Sequence, residues 1–280
     1  MPRYLSEIQL KSLEDQGFLL VKNVFSKDEI QSLQSKCSKK CSLVKFNKSV
    51  SGDIFEDDDL RTILFKKDII DLVKDILGEN PIYFRDSQLH CKPNERIFHS
   101  DNRADYLNPR KTHYPIFRFG VFMQDHKRFS GGIKFRSNSH NRLIFNKLNF
   151  KNLLLGNGFH DDPTVYFNTG KIVNAKSELG DIVIWNLRTE HSGGAVILKF
   201  LENLSFSPNI DKIIPSFLKL KEHQTRMSIF YAFGRDSQAL KDYVEFKKNN
   251  INDEEHRKSL SSNVLSLKEK AKDIGIEFLD

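Results

Sequence analysis

The sequence predicts a mainly β protein with packed helices, built as a β-sandwich or jelly roll. Helical patterns fill residues 4–78, short apolar runs separated by Gly and Pro turns follow over about 81–235, and a charged helical pattern covers 238–274. Blocks of helix and strand that are segregated in this way favour layered antiparallel sheets over an alternating βαβ fold. With 280 residues and no internal repeat, we expect one domain over 1–280.

Three helices are predicted before the strands begin. An amphipathic pattern covers 4–16, and a Ser-x-x-Glu capping box opens a second helix over 26–40. A third pattern over 59–77 contains a charged break near 66–68. Glycines end the first and third patterns, and the apolar run 18–21 between the first two helices is predicted to be a short buried strand.

The predicted strands are short apolar runs bounded by turn residues. Two further segments, 141–179 and 199–222, have no strand periodicity and are interpreted as insertions. Segment 141–179 is expected to be a loop with some helix that covers the candidate functional site described below, and segment 199–222 is expected to be a loop. The predicted strands cover 82–84, 87–93, 116–123, 133–135, 182–185, 195–200 and 226–233.

Composition is typical of a globular protein. Hydrophobic residues make up 39% and charged residues 29%, and the 23 Phe against one Trp predict a core filled largely by phenylalanine. No apolar run approaches the roughly 18 residues that span a bilayer. The N-terminus lacks the hydrophobic region of a signal peptide, so we expect a cytoplasmic protein with no membrane contact.

Three cysteines, Cys37, Cys41 and Cys91, are compatible with a reducing compartment. Cys37 and Cys41 are four residues apart in a predicted helix and therefore share a face. A metal site would need further ligands at short spacing, and none is nearby. Buried or unreactive thiols are therefore expected rather than a metal or redox site.

The net charge is +7, from 44 basic and 37 acidic residues. A basic excess can indicate nucleic acid or an anionic substrate. The lysines are spread along the whole chain, and no dense basic block with interleaved aromatic residues occurs, which argues against nucleic acid. We interpret the excess as a solvated lysine-rich surface, with an acidic small molecule as the next possibility.

The motif with the most chemical content is His99-Ser100-Asp101, followed 90 residues after the aspartate (191 − 101) by His191. In an extended segment, residues i and i+2 point to the same side, so His99 and Asp101 can face one ion. Two imidazoles and one carboxylate are the ligands of non-haem Fe(II) oxygenases, in which adjacent coordination positions stay open. His99, Asp101 and His191 are therefore the candidate metal ligands.

Taken in order, these motifs resemble the phytanoyl-CoA dioxygenase family of Fe(II)/2-oxoglutarate-dependent oxygenases, and the resemblance covers nearly the whole chain. Asn138 stands where that family usually has a Gly. Arg226 falls where the family has the arginine that binds the far carboxylate of 2-oxoglutarate. The segments that carry the resemblance are Gly17–Phe25, His99–Asp101, Gly131–Ile133, Asn138–His140 and Gly180-Asp181 leading to His191.

The resemblance implies a double-stranded β-helix (jelly roll, cupin-like) core flanked by N- and C-terminal helices. It implies hydroxylation of a C–H bond in a small-molecule substrate, with Fe(II), 2-oxoglutarate and dioxygen as cofactor and cosubstrates and with release of succinate and carbon dioxide. Arg226 would bind the distal carboxylate, Ser228 would add a hydrogen bond, and His90 would be a further cosubstrate contact. Related halogenases lack the carboxylate that Asp101 provides, so its presence favours hydroxylation.

One departure from the family pattern is the distance between the second histidine and the arginine. Here it is 35 residues (226 − 191), whereas in the family the arginine lies much closer. An insertion near 199–222 would account for the difference.

Several alternatives stay open at the level of sequence. The enzyme could act on a macromolecule, the chain could be a catalytically silent jelly-roll binding protein, or the site could hold Zn or Mn for hydrolysis or isomerisation. Arg103, Lys134 and Arg136 could meet an acidic substrate near the mouth of the site or form a solvated rim. The remaining histidines are expected in solvated or core positions, with His140 ordering a turn: His113, His126, His140, His160, His223 and His256.

Overall fold

The computed structural model describes residues 4–43, 49–50, 53–91, 97–102, 114–141, 170–223, 226–249 and 264–279. Most of the predicted 141–179 insertion lies outside these ranges. The described residues form seven α-helices: α1 (Glu7–Gln16), α2 (Lys27–Leu43), α3 (Asp58–Leu64), α4 (Lys67–Leu77), α5 (Pro208–Ile213), α6 (Gln238–Lys248) and α7 (Val264–Asp273).

The helix boundaries follow the signals in the sequence. The predicted capping box before α2 is present, since Glu29 N donates to Ser26 Oγ (3.2 Å) and Ser26 N donates to Glu29 Oε2 (2.7 Å). Gly17 ends α1 with a positive φ of 83°, a conformation that glycine adopts without steric cost. The predicted break between α3 and α4 is also confirmed.

The strands form two sheets. The larger has the order β1-β7-β4-β9-β3-β10, with β2 also paired to β3, and the smaller has the order β6-β5-β8. Every described pairing is antiparallel except that of β10 with β3. The strands are β1 (Phe18–Val21), β2 (Ser49–Val50), β3 (Ile82–His90), β4 (Ile116–Phe122), β5 (Gly132–Arg136), β6 (Ile172–Ala175), β7 (Ile182–Asn186), β8 (His191–Ala195), β9 (Ser228–Gly234) and β10 (Glu277–Phe278).

Apolar side chains fill both faces of the larger sheet. On the face covered by helices, Phe119 stacks on Tyr231 with ring centroids 5.6 Å apart, within a large buried cluster. On the face toward the smaller sheet, Phe135 packs between Phe18 (4.5 Å) and Trp185 (5.6 Å). Two antiparallel sheets packed face to face with flanking helices confirm the predicted jelly-roll class.

Four strands, β2, β6, β8 and β10, differ from the prediction. The strand expected at 195–200 is instead β8, because the polar and glycine-rich run that follows His191 pairs with β5 through its backbone. The described end of the 141–179 insertion contains β6, which is half-buried and lacks a long apolar run. β2 and β10 have two residues each, too few to show a periodic pattern.

The insertion between β8 and β9 is a closed excursion from the core. Lys199 N donates to Leu218 O (3.0 Å) and Leu220 N donates to Ile197 O (2.8 Å), so the chain leaves and returns at the same place. It contains α5, with Pro208 in the first turn, where its missing N–H removes no helical bond. The predicted insertion is therefore found, but its expected loop character was wrong at α5.

The cysteines also differ from expectation. Cys37 is a buried free thiol whose pKa is raised to about 12 by burial, as expected for an unreactive cysteine. Cys41 and Cys91 form a disulfide with a Cα–Cα distance of 5.2 Å, so the expectation of idle thiols was wrong for this pair. Their separation of 50 residues hid the pairing from the sequence, and the argument from cysteines for a reducing compartment loses its support.

Within the described ranges, no helix combines the length and apolar composition needed to cross a bilayer.

Candidate metal centre

The two candidate histidine ligands are held side by side by the backbone. His99 N donates to His191 O (3.0 Å), and His191 N donates to His99 O (2.9 Å), which is an antiparallel bridge. The two imidazole centroids are 4.4 Å apart. Residues that are 92 positions apart in the chain (191 − 99) are therefore direct cross-strand neighbours.

Asp101 completes the group. Its backbone N donates to Leu187 O (3.0 Å), which fixes the residue beside the turn that follows β7. One carboxylate oxygen lies 4.0 Å from His99 Nε2, and the other lies 3.6 Å from His191 Nε2. Candidate ligand atoms of all three residues lie within 4.8 Å of one another, so the predicted convergence is found.

The imidazole orientations suit a metal. Nδ1 of His99 lies 3.1 Å from Ile97 O, and Nδ1 of His191 lies 3.0 Å from Thr189 O. A backbone carbonyl can only accept, so each Nδ1 carries the hydrogen of a neutral imidazole. Each Nε2 then presents its lone pair on the side of Asp101, which is the tautomer that a metal-binding histidine requires. The chemistry of this donor set fits a divalent iron.

The carboxylate of Asp101 is fixed by two further groups. Trp185 Nε1 donates to its Oδ2 (3.1 Å), and Arg118 Nε lies 3.5 Å from the same oxygen. Burial alone would raise the pKa of Asp101, but the charge of the Arg118 guanidinium, together with the hydrogen bond from Trp185, outweighs it and holds the pKa well below its usual range. Asp101 is therefore an anion throughout the neutral range.

Arg118 is itself held in place by a second carboxylate. Its Nη2 donates to Asp86 Oδ2 (2.5 Å), and Tyr243 Oη donates to the same oxygen (2.9 Å). The sequence analysis did not single out this network. A signal was present, because Arg118 is the one charged residue in the apolar strand β4, and a charge in such a strand requires a buried partner.

The triad opens into a cavity of about 80 Å³. One ordered water occupies roughly 10–15 Å³ of such a cavity, so the space can hold a molecule of several heavy atoms. The cavity is lined by aromatic and polar side chains, by one isoleucine and by three glycines. Besides the triad, the lining consists of Gln88, His90, Arg118, Phe122, Gln124, His126, Gly131, Gly132, Ile133, Trp185, Gly193, Arg226, Ser228 and Phe230.

Arg226, which the resemblance implied as the cosubstrate-binding arginine, lines this cavity, and its role stays a prediction. Its side chain is 10% exposed, and Nη1 lies 3.5 Å from Glu222 Oε2 at the rim. Gly131 provides the space for it, since a Cβ at that position would lie 2.9 Å from Arg226 Cδ. The φ of Gly131 is +110°, which other residues rarely adopt, so both the conformation and the close approach require glycine.

Ser228 and His90 also line the cavity, opposite each other in the pairing of β9 with β3. His90 Nε2 lies 2.7 Å from Gln88 Oε1, and its ring packs edge-on against Phe230 at 4.9 Å. Both residues are therefore placed where the resemblance implied cosubstrate contacts, although their roles stay predictions.

His126 lines the same cavity and was expected only to be solvated or in the core. It is buried, and burial together with the nearby charge of Arg226 lowers its pKa to about 4. The ring lies against Gly132, where an added Cβ would come within 3.0 Å of His126 Cγ. A lone histidine after a strand carries no motif, so the sequence could not place it at the site.

The remaining predictions near the site had mixed outcomes. His140 Nε2 lies 2.9 Å from Glu14 O beside the turn at Gly17, which confirms its expected role in ordering a turn. His223 packs edge-on against Phe129, outside the residues that line the cavity. Arg103, His113, His160 and His256 lie outside the described residues.

Lys134 and Arg136 do not form a rim that could meet an acidic substrate. Both are buried, Lys134 paired with Asp211 and Arg136 with Glu190 (2.8 Å). β5 is covered on both sides, so a cation on this strand must have a buried partner. The expectation of exposed or substrate-facing cations at these two positions was wrong.

No protein-family model matches the chain, and no curated protein matches it in sequence. Solved structures do match in fold. The non-haem α-ketoglutarate-dependent carbocyclase SnoK from nogalamycin biosynthesis is 15% identical, with a TM-score of 0.57, and the match covers 82% of this chain and 84% of SnoK.

EctD from S. alaskensis with bound Fe is 14% identical, with a TM-score of 0.58 and coverage of 84% of this chain and 78% of EctD. HygX from Streptomyces hygroscopicus with nickel and 2-oxoglutarate bound is 14% identical, with a TM-score of 0.54 and coverage of 82% and 87%. These proteins belong to the phytanoyl-CoA dioxygenase family. The chain therefore has the double-stranded β-helix fold of that family of iron- and 2-oxoglutarate-dependent enzymes, as its motifs predicted.

Proposed function

We propose that this protein is an Fe(II)/2-oxoglutarate-dependent dioxygenase that hydroxylates a C–H bond of a small-molecule substrate and releases succinate and carbon dioxide. The observation that carries the proposal is the convergence of His99, Asp101 and His191 within 4.8 Å, with Arg226 lining the same cavity. The metal-binding residues alone are compatible with several metals. The arginine adds a site for an anionic cosubstrate.

Each residue has a defined part in this proposal. The Nε2 atoms of His99 and His191 and the carboxylate of Asp101 hold the metal, and three protein ligands leave adjacent coordination positions open. Arg226 binds the distal carboxylate of 2-oxoglutarate through charge-assisted hydrogen bonds, and Ser228 donates one more. Iron and 2-oxoglutarate, when bound, supply the redox chemistry by which dioxygen is activated.

The remaining walls of the cavity are partly apolar. Phe122, Ile133, Trp185 and Phe230 contribute this surface to the cavity that the triad and the arginine also line. Such surroundings strengthen the attraction between buried charges and limit side reactions with solvent. The indole of Trp185 has a second part, because its N–H fixes one oxygen of Asp101.

The proposal is tested first by binding. Anaerobic addition of Fe(II) and then 2-oxoglutarate should give a weak visible absorption band, which His191→Ala and Arg226→Ala should each abolish. Matched controls are His223→Ala and Arg128→Ala, at a histidine and an arginine that do not line the cavity. A band that persists in Arg226→Ala, or that never forms, would refute the assignment of this site.

Turnover then separates the alternatives. Succinate release in air, stimulated by members of a metabolite panel, is the expected result for a small-molecule hydroxylase. Formation of the band without succinate release would identify a silent binding protein. Stimulation only by protein or nucleic acid would identify an enzyme that acts on a macromolecule.

A further inference from the structure

A second cavity, of about 160 Å³, lies beside the proposed metal centre. Gly193 lines both cavities, and it follows the candidate ligand His191 by two residues. Ile97, two residues before His99, lines the second cavity as well. The second cavity therefore borders the chain just before His99 and just after His191.

The opposite wall comes from the excursion between β8 and β9. α5 contributes Pro208, Asp211 and Lys212, and the segment that follows it on the way back to the core contributes Lys219, Leu220 and Glu222. This is the insertion that separates Arg226 from His191 by 35 residues (226 − 191). The excursion that makes the distance from His191 to Arg226 longer than in the phytanoyl-CoA dioxygenase family therefore also lines the second cavity.

The charges on this wall are unequal. The carboxylate of Asp211 pairs with the buried Lys134, and that of Glu222 lies 3.5 Å from Arg226. Both anionic groups of the wall therefore already have a cation. The two lysines of the wall, Lys212 and Lys219, differ from these acids because neither is in an ion pair with a carboxylate of the described residues.

Lys219 Nζ donates to the backbone oxygen of Asp211 (2.6 Å), and Lys212 is exposed. Among the residues that the structure describes, no carboxylate lies within 4 Å of either ammonium group in an ion pair. With Lys134 assigned to Asp211, the two lysines outweigh Glu222, so this wall keeps one positive charge in excess even when Arg226 binds 2-oxoglutarate. The rest of the lining is largely apolar, from Ile97, Val196, Pro208 and Leu220.

We propose that the second cavity is the primary-substrate site and that it takes a small organic acid with an apolar body. The carboxylate contacts Lys219 and Lys212, and the body lies along Ile97, Val196 and Leu220 toward Gly193 and the metal. This inference rests on the proposed oxygenase function for the meaning of "substrate", but the anion site itself does not depend on it.

Gly193 borders both cavities and Gly194 borders the second, so neither position places a side chain at the boundary between them. Gly194 has a φ of +74°, so the chain turns there in a conformation that other residues adopt only with strain. At these two positions the boundary between the cavities is therefore glycine backbone. In this proposal, a substrate held at the lysines approaches the metal beside Gly193.

The test uses hexanoate, octanoate and benzoate as probes, each compared with its uncharged amide. Binding is measured by saturation-transfer NMR and calorimetry on the full chain, both without metal and under anaerobic Fe(II) with saturating 2-oxoglutarate. We expect at least one acid to bind about tenfold tighter than its amide, as loss of one charge-assisted hydrogen bond implies. Saturating 2-oxoglutarate should not displace it.

Variants locate the site. Lys219→Met and Lys212→Met should each weaken binding of the acid by about tenfold and leave binding of the amide unchanged. Lys199→Met, an exposed lysine of the same excursion that lines neither cavity, is the matched control and should have no effect. Lys212→Met changes an exposed side chain, so it keeps the test informative if Lys219→Met does not fold.

The two proposals fail in different ways. If acids and amides bind equally, if no probe binds, if the lysine variants bind acids normally, or if 2-oxoglutarate displaces the acid, the anion site is refuted while the anaerobic absorption band can still form. If an acid binds with the expected dependence on lysine but no band forms, the anion site stands and the oxygenase assignment fails.

Discussion

Arg136 joins the two chain segments that carry the candidate histidine ligands. Its Nε donates to Glu190 Oε2 (2.8 Å), and its guanidinium lies 4.5 Å from the centre of the Phe98 ring. Phe98 directly precedes His99, and Glu190 directly precedes His191. One buried side chain thereby contacts both neighbours of the candidate metal-binding histidines.

Replacement of Arg136 with Met tests this role, because Met keeps the apolar length of the side chain but removes the charge. Glu190 is 0% exposed, so its carboxylate would be left buried beside an uncharged thioether. Removing one partner of a buried ion pair costs about 3–5 kcal/mol. Against a total stability of about 5–15 kcal/mol for a folded domain, this is a large loss. It lowers the ratio of folded to unfolded protein by roughly a hundredfold to several thousandfold.

The assay is equilibrium unfolding in urea, followed by the fluorescence of Trp185, the one tryptophan of the chain. Arg128→Met is the matched control, since Arg128 pairs with Asp125 at 3.3 Å but its side chain is 81% exposed. An exposed pair of this kind contributes at most about 1 kcal/mol. The double replacement Arg136→Met with Glu190→Leu should recover part of the loss, because the buried carboxylate is then removed together with the guanidinium that faces it.

Two results would contradict this account. One is a loss for Arg136→Met no larger than that for Arg128→Met. The other is a double variant whose loss equals or exceeds the sum of the two single losses, since that would show that the pair is not coupled. A second measurement, the affinity of the folded Arg136→Met variant for Mn(II), should fall because the two histidine segments lose their shared contact.

Further predictions concern groups that line the metal cavity. The pKa of His126 falls from 6.5 to about 4 on folding, so the unfolded chain binds more protons between these values. The free energy of unfolding is therefore highest above pH 6.5 as far as His126 is concerned, and it falls by roughly 3 kcal/mol as the pH is lowered toward 4. His126→Asn should remove this part of the pH dependence of urea unfolding. Gly131→Ala should raise the KM for 2-oxoglutarate about tenfold with a smaller effect on kcat, because its Cβ would displace Arg226; an unchanged KM would show that the arginine does not contact the cosubstrate. Trp185→Phe should weaken Mn(II) binding roughly tenfold through loss of the hydrogen bond to Asp101, and equal affinity in titrations of the folded variant would contradict that role.

The three candidate ligands could be predicted from two sources: the spacing of His99 and Asp101, and the order of motifs in the family that the sequence resembles. His99 and Asp101 are two residues apart in an extended segment, so one face follows from spacing alone. His191 could be identified only by analogy, because its position depends on a backbone bridge to His99 across a gap of 92 residues (191 − 99). No periodic pattern encodes such a pairing.

Long-range pairs account for most of what the sequence did not show. Arg118 and Asp86 are 32 residues apart, and Lys134 and Asp211 are 77 residues apart. Asp86, Lys134 and Asp211 each look solvated when considered alone, since most Lys and Asp side chains are exposed. Arg118 does signal a buried partner by its place in an apolar strand, but which residue that partner is becomes visible only when the sheet order brings the strands together.

The charge balance of the site explains why this pairing matters for the proposed function. Before any ligand binds, the charges of Asp101 and Asp86 are balanced by those of Arg118 and Arg226, so the site is neutral if the half-exposed Glu222 at the rim is left out of the sum. A divalent metal alone would change the sum to +2, and dianionic 2-oxoglutarate alone would change it to −2. With both bound the sum returns to zero, because the low pKa of His126, about 4, keeps that residue neutral near pH 7. Binding both together therefore avoids the desolvation cost of the unpaired charge that either one alone would leave. Each of the two ligands should therefore strengthen the binding of the other.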